Sequence, residues 1–475
     1  MIVFSWIIVL FISVGGFCMY IVIIGLGKVG QLLTQYLSNE GHDVVVIDQN
    51  NKKVEDVVNR YDVLGLCGNG ANNDILLEAG VDKADAVIAV TASDELNILA
   101  GLICKQHGAK NTIARVRNPD YSRQKDFLRE NLGFSMIVNP ELEAANEIRR
   151  MIMFSSAMKI DSFAKGKIEL IELRLDEKIR LNGFKLSELS KVTKASVLIC
   201  AVRRGEDVII PNGNFILENK DHIYVTGSHR DLSRFCLDVG FMSEKIKNVI
   251  IICGSKIAYY LSRQLSVQGI QTKIIESNHQ RCVELSQKLP YSVVIEVNGS
   301  DEEILLEEGI KKCDALVSLT GFDEENIILA LVAKKLGVKK SIAKVNRVSL
   351  GTFIDQLNLD NIIDPKSVVA SQIIGYLRAK ENNDESTSVQ TLYKLVNDQV
   401  EALEFFVNEK TKYLHEPLMN IKIKKHILIA GILRNNEMII PKGHDTLEVG
   451  DRIIIISSHL SLKNLNDIFE GDLYE

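Results

Sequence analysis

A chain of 475 residues with a net charge of −6 is too long for one hydrophobic core, and domain sizes of roughly 100–200 residues lead us to expect two to four domains. Its apolar and charged fractions are those of an ordinary globular protein, and it has no basic tract or zinc-finger spacing that would mark a nucleic-acid carrier. The cysteines Cys18, Cys67, Cys104, Cys200, Cys236, Cys253, Cys282 and Cys313 form no C-x-x-C pair and have no histidine at ligand spacing, so they read as buried thiols in a reducing compartment.

Met1 to Met19 carry no charge. No basic n-region or small-residue cleavage site marks a signal peptide, and the apolar run continues into a strand instead of returning to water as a membrane helix must. Residues 1–18 are therefore read as an apolar extension ahead of a start at Met19, with a membrane anchor as the competing reading. From Tyr20 the β-branched run Ile21 Val22 Ile23 Ile24 ends in Gly25 Leu26 Gly27 Lys28 Val29 Gly30. A helical pattern follows to Glu40, then a second β run, Asp43 to Asp48, closed by an acid. Strand, GxGxxG, helix and acid-tipped strand are the fingerprint of a dinucleotide-binding βαβ unit. Gly25 serves the tight turn, Gly27 the approach of a pyrophosphate and Gly30 the close packing of helix on sheet. The helix start offers amides and a positive dipole end to phosphates. Asp48 can accept from a ribose diol and would repel a 2′-phosphate, which favours NAD over NADP and leaves ATP and AMP open.

Further strands near 62–66, 85–90 and 112–117 alternate with helical patterns near 52–60, 71–79, 94–107 and 120–131. Such alternation predicts a doubly wound parallel sheet covered on both faces. Ligands of these sheets sit beyond the carboxyl ends of the strands, which puts Gly25 to Gly30, Asp48, Gly68 with Asn69, Thr91 with Ala92 and Ser93, and Arg115 around one crevice. A helix from about 140 to 159, apolar at Ile148, Met151, Ile152 and Met153, leads out of the sheet as a core or crossover contact. From Lys167 the pattern changes to the short strands Ile168 to Leu175, Ser196 to Val202, Val208 to Ile210 and Ile223 to Val225. With a helix near 229–238 they make a strand-rich module of about 80 residues.

The chain then repeats itself. Ile75 Leu76 Leu77 Glu78 Ala79 Gly80 returns as Ile304 Leu305 Leu306 Glu307 Glu308 Gly309, about 229 residues later, too long a period for a solenoid and right for a duplicated module. The same offset matches Thr91, Asp94, Glu95 and Asn97 to Thr320, Asp323, Glu324 and Asn326, and Ile113 Ala114 Arg115 to Ile342 Ala343 Lys344. The second fingerprint is weaker, reading Cys253 Gly254 Ser255 Lys256 Ile257 Ala258. Ser255 puts a side chain where a pyrophosphate would approach, Cys253 loses the easy turn, and Glu276 replaces Asp48. The second site is expected to be altered or empty. The polar stretch 380–388 reads as a linker before a second strand-rich module, roughly 390–472.

With Gly68 Asn69 Gly70, the stretch Ala89 to Glu95, and Ile113 Ala114 Arg115 Val116 Arg117, these motifs resemble the RCK (KTN) regulators of potassium conductance, from Met19 to the C-terminus. The resemblance implies an α/β fold of two tandem Rossmann-like domains, residues 19–145 and 245–375, each followed by a small α+β domain, residues 160–240 and 390–475. Two such units in one chain resemble the regulatory subunits of Trk-type potassium uptake systems. That implies a cytoplasmic protein, peripheral at the membrane, which docks on a membrane-embedded Trk-type transporter, assembles as a homo-oligomeric, tetramer-like ring of RCK units, and binds no nucleic acid. It would gate potassium transport in response to NAD(H) or to ATP and ADP. Carried over residue by residue, its first site comprises Gly25, Leu26, Gly27, Lys28, Val29, Gly30, Asp48, Asn69, Thr91, Ala92 and Arg115. The matching second positions are Cys253, Gly254, Ser255, Lys256, Ile257, Glu276 and Lys344. The rival class, an NAD-dependent oxidoreductase, needs a general acid or base over the nicotinamide. The nine histidines form no obvious pair, and no enzyme or metal site is expected. A third class is an interaction protein with a vestigial pocket.

Overall fold

The computed structural model describes residues 18–470 apart from 123, 155–156, 165–166, 178, 206, 242–244, 347–358, 360, 382–388, 396–398, 459–461 and 463. The apolar head before Cys18 and most of the 380–388 linker lie outside the described residues. The chain forms two compact units, Met1–Ala114 and Arg115–Glu475.

In the first unit, β1 (Tyr20–Ile24), β2 (Asp43–Asp48), β3 (Leu64–Cys67), β4 (Ala86–Ala89) and β5 (Asn111–Arg115) run parallel in the order β3-β2-β1-β4-β5. The helices α1 (Lys28–Asn39), α2 (Asn51–Val58), α3 (Asn73–Glu78) and α4 (Asp94–Gln106) connect them. Ile21 to Ile24 are all but fully buried, as a central parallel strand covered on both faces must be, and this is why the run carries no polar alternation. Val29, Leu33 and Leu37 recur four residues apart and give α1 its buried stripe. The strand order reverses between β1 and β4, so the loops leaving them part at the carboxyl edge and open a crevice there.

The second unit begins with two short helices, α5 (Pro119–Ser122) and α6 (Lys125–Glu130), in place of one, followed by β6 (Met136–Val138) and α7 (Pro140–Met153). Asn139 caps α7 by accepting from Leu142 N, and Pro140 opens it. The helix ends short of the expected position 159, because Phe154, Ala157 and Ile160 enter the core of the strand module. Lys159–Phe163 is a strand, β7, paired antiparallel with β8 (Ile168–Arg174). With β9 (Val197–Arg204), β10 (Asp207–Ile209) and β11 (His222–Gly227) they form a sheet ordered β7-β8-β11-β9-β10, backed by α8 (His229–Val239).

A second parallel sheet follows, built from β12 (Asn248–Ile252), β13 (Gln271–Glu276), β14 (Ser292–Glu296), β15 (Ala315–Ser318), β16 (Lys340–Lys344) and β17 (Ile362–Ile363), in the order β14-β13-β12-β15-β16-β17. Its helices are α9 (Lys256–Val267), α10 (His279–Lys288), α11 (Glu302–Glu307) and α12 (Asp323–Lys335). After α13 (Pro365–Glu381) come β18 (Val389–Leu395), β19 (Val400–Phe406), β20 (Ile427–Arg434), β21 (Glu437–Ile439) and β22 (Arg452–Ser458), ordered β18-β19-β22-β20-β21. That repeats the first strand module, with the 3-10 turn Leu465–Ile468 where α8 stood. The fold is thus two Rossmann-like domains, each followed by a small strand-rich domain.

The apolar face of α7 is a crossover contact. Ala144, Ala145, Ile148, Met151 and Ile152 pack with Val249, Ile251, Ile257 and Leu261 of the second parallel domain. The two strand modules share one core, in which Phe163, Leu170 and Tyr224 meet Val400, Ala402 and Ile454. At its edge the buried Glu404 accepts from Ala164 N (3.0 Å), Thr391 Oγ1 (2.9 Å) and an Arg452 guanidinium N–H (2.6 Å). Five cysteines are buried as expected, but Cys253 is half-buried, and Cys18 and Cys67 are exposed. Cys67 closes the edge strand β3, where nothing of this sheet covers it. Among the described residues no helix is long and apolar enough to cross a membrane.

Candidate functional site

The three glycines of the first loop are there for different reasons. Gly25 has φ +101°, and a Cβ on it would lie 2.8 Å from Thr91 N and 2.9 Å from Thr91 Cα. Torsion and the close approach of the loop after β4 both require glycine. A Cβ on Gly30 would run into Gly25 O, so α1 starts hard against the turn. Gly27 is exposed, its φ is −75°, and a Cβ on it would meet nothing within 4 Å. The fold makes no demand for glycine at this position. Gly27 is also the N-cap of α1 and supplies no side chain to the helix's first amides. Lys28 beside it is exposed, whereas Val29 and Leu26 are buried.

Asp48, half-buried at the tip of β2, accepts from Leu26 N at 2.7 Å and from Asn50 N at 2.9 Å. It braces the glycine loop, and a carboxylate with two acceptor oxygens has capacity left for a diol. Asn69 accepts from Ala71 N (3.1 Å), and a Cβ on Gly70 would run into the Ile24 side chain. Thr91 donates to Asn97 Oδ1 through its amide (2.8 Å) and its hydroxyl (2.7 Å), while Ser93 caps α4 and Ala92 is exposed. The glycine loop, Asp48, the Gly68–Gly70 loop and Thr91 therefore gather at the carboxyl edge of the first sheet.

The second loop makes the same turn from different residues. Cys253 adopts φ +77° in the place of Gly25, accepting a left-handed conformation that costs an L-residue roughly 1–2 kcal/mol. Burial, and next the charge of Glu276, push its thiol pKa up. Glu276 repeats the contacts of Asp48, accepting from Gly254 N at 2.7 Å and Asn278 N at 2.8 Å. Ser255, in the place of Gly27, caps α9 by accepting from Ala258 N at 3.3 Å. Lys256 is half-buried and Ile257 buried. Lys344 donates to Leu319 O at 3.2 Å, and Asn326 repeats Asn97 by accepting from Thr320 N at 2.8 Å.

Arg281, in the first turn of α10, escaped the sequence reading. Its Nε donates to Gly254 O at 2.6 Å and a terminal nitrogen to Ser255 O at 3.4 Å, while the other pairs with Glu284 at 2.6 Å. Lys53 is its counterpart in α2, and the two basic residues look interchangeable in sequence. Arg115 ends β5 and opens the second unit. In that unit Arg117 lies 4.0 Å from Glu141 at the start of α7. Burial raises the Glu141 pKa, against the opposing charges of Arg117, Arg115 and Lys256. The Tyr260 hydroxyl accepts from Asn139 Nδ2 (3.0 Å) and donates to Arg117 O (3.2 Å).

Comparison with known proteins agrees with the duplicated plan. The TrkA-N domain family matches residues 21–140 and 249–365, and the TrkA-C domain family residues 170–239 and 402–469. A Trk system potassium uptake protein TrkA homolog of Archaeoglobus fulgidus is 31% identical, over 95% of this chain and 100% of its own. The Trk system potassium uptake protein TrkA of Haemophilus influenzae is 27% identical over 96% of this chain and 100% of its own. Among solved structures, the GsuK RCK domain matches with a TM-score of 0.61 at 17% identity, covering 93% of each chain. The GsuK channel bound to NAD matches with a TM-score of 0.62 at 18% identity, covering 93% of this chain and 77% of its own. At such identities the two solved structures speak for the fold alone.

Proposed function

The chain belongs to the family of Trk-system potassium uptake proteins built from alternating TrkA-N and TrkA-C domains, and on that premise we propose that it is a regulatory subunit of potassium transport whose first domain senses an adenine nucleotide. The observation that carries the sensing role is Gly27, a bare and exposed helix cap at a position where the fold leaves open space for a Cβ. An incoming pyrophosphate is what a side chain there would obstruct. NAD(H) is the first candidate ligand and ATP or ADP the next, since all present the ribose diol that Asp48 can accept from. In this reading Gly25 to Gly30 cradle the phosphates, Asp48 holds the ribose, and Asn69, Thr91 and Ala92 line the remainder.

A binding event of this kind regulates by shifting a population. Moving an equilibrium from mostly closed to mostly open takes roughly 5.5 kcal/mol of differential affinity, which several chains in a ring can supply together. We assign the protein to the cytoplasmic face of the membrane, as a homo-oligomer docked on a membrane-embedded Trk-type transporter, binding nucleotide without turning it over. Calorimetric titration with NADH, NAD, ATP and ADP, alongside an NADH oxidation assay, tests this. Saturable binding with no oxidation is expected; absence of affinity for all four removes the sensor, and steady oxidation makes the protein an enzyme.

A further inference from the structure

The test that singles out Gly27 gives the opposite answer in the second copy. None of the three fingerprint glycines is kept there; Gly254 stands in the place of Leu26, and its bareness serves the protein's own packing: a Cβ on it would lie 2.5 Å from Leu285 Cδ1 and 3.2 Å from Glu276 Oε2. The helix α10 thus lies directly on the loop, and from its first turn Arg281 reaches back over it. The guanidinium is bonded to the carbonyl oxygens of Gly254 and Ser255 and pinned from the other side by Glu284, which also pairs with Lys288 at 2.9 Å. In a Rossmann domain the pyrophosphate lies over the first amides of the helix and the ribose between the loop and the acid that ends the second strand. The Ser255 hydroxyl takes up one of those amides, Ala258 N, and the Arg281 side chain lies along the approach to the other position. In the first copy Gly27 has no side chain to offer, and Leu26 O, which precedes α1, accepts from the neutral Gln31 Nε2 of that helix at 3.2 Å and from no arginine of α2.

We infer that Arg281 closes the second glycine loop from within, so that each chain takes nucleotide in its first TrkA-N domain and uses the second as a permanently self-filled copy. The inference rests on the nucleotide-sensing reading above and adds a stoichiometry and the residue that sets it. Ser255 and Arg281 are then exclusion residues: Ser255 takes up an amide from which a phosphate would accept, and Arg281 covers the loop through its carbonyl oxygens.

Calorimetric titration of the full chain with NADH, and separately with ATP, is expected to give one site per chain, and the double variant Ser255→Gly with Arg281→Ala two. Two sites in the unaltered chain overturn the inference while leaving the sensing reading intact. No binding to the unaltered chain by either nucleotide overturns that reading and this inference with it. A folded double variant that still binds one equivalent removes Arg281 from its role. Should the double variant fail to fold, hydrogen exchange on the unaltered chain decides the matter. With NADH at about ten times its Kd, amides 25–30 should slow by about tenfold and amides 253–258 should not change. Comparable protection of 253–258 overturns the inference.

Discussion

Asp48 and Leu26 are joined by a 2.7 Å hydrogen bond from amide to carboxylate, and Glu276 and Gly254 repeat that bond at the same length in the second copy. The acid at the end of the second strand therefore has a structural duty, holding the glycine loop, in addition to any contact with a ligand. The bond survives in the copy whose loop is covered by Arg281, which separates the two duties.

Asp48→Ala should fail on both counts. Losing a charged acceptor costs about 1.5–3 kcal/mol, so nucleotide affinity should fall by about tenfold to a hundredfold, and urea unfolding should report a loss of about 1 kcal/mol as Leu26 N loses its partner. Asp48→Asn keeps an acceptor for Leu26 N and should recover most of the stability without the affinity. Equal losses in the two variants would contradict the division of labour.

The three glycines should separate cleanly under substitution. Gly27→Ser meets no obstruction and adds a good cap, so stability should stay within about 0.5 kcal/mol of the parent or rise, while nucleotide affinity falls at least about tenfold. Gly25→Ala must bear a left-handed torsion and a clash with the Thr91 backbone, and should lose about 2 kcal/mol or more. Denaturant midpoints paired with titrations check both.

Glu147 on α7 is buried, and that burial pushes its carboxyl up to about 7, with Lys159 and Arg150 opposing the rise and Asp161 and Asp364 adding to it. An acid whose pKa is higher folded than unfolded binds more protons when folded, so stability declines as pH rises from the ordinary carboxylate range through about 7. The decline is at most about 3 kcal/mol. Denaturant midpoints should drop between pH 5 and pH 8, and the drop should be smaller in Glu147→Gln. A profile that is the same in both proteins would rule this out.

Tyr260→Phe removes the hydroxyl shared by Asn139 Nδ2 and Arg117 O. The buried Asn139 amide and the half-buried Arg117 carbonyl each lose a partner, and the expected cost is about 1–2 kcal/mol. In a double-mutant cycle with Asn139→Ala, whose loss also uncaps α7, the effects should be non-additive by about 0.5 kcal/mol or more. Simple additivity would show that the bridge is energetically idle.

The parallel sheets were legible because Ile21 to Ile24 and Val44 to Ile47 are local signals, an unbroken apolar run beside a glycine turn, and because the duplication says the same thing twice. What escaped was set by partners distant in sequence. The helical pattern from Pro140 runs to about Lys159 on paper, yet the helix stops at Met153, and Lys159–Phe163 is claimed by β8 and by the core around Phe154 and Ala157. Cys67 resembles the other thiols and differs only in closing an edge strand. Arg281 and Lys53 are both basic residues in a helical first turn, and only the fork of a guanidinium spans two carbonyl oxygens. Gly27 was recognised from its motif, but that it is the glycine the fold does not require emerges only from the space around it.

The shared core of the two strand modules, with Phe163 edge-on to Tyr393 at 4.9 Å and Glu404 reaching Ala164 N, makes each polypeptide its own pair. Separate identical subunits would have to mutate in step, whereas halves tethered on one chain are free to diverge. Cys253, Ser255 and Arg281 are the kind of drift that such linkage tolerates.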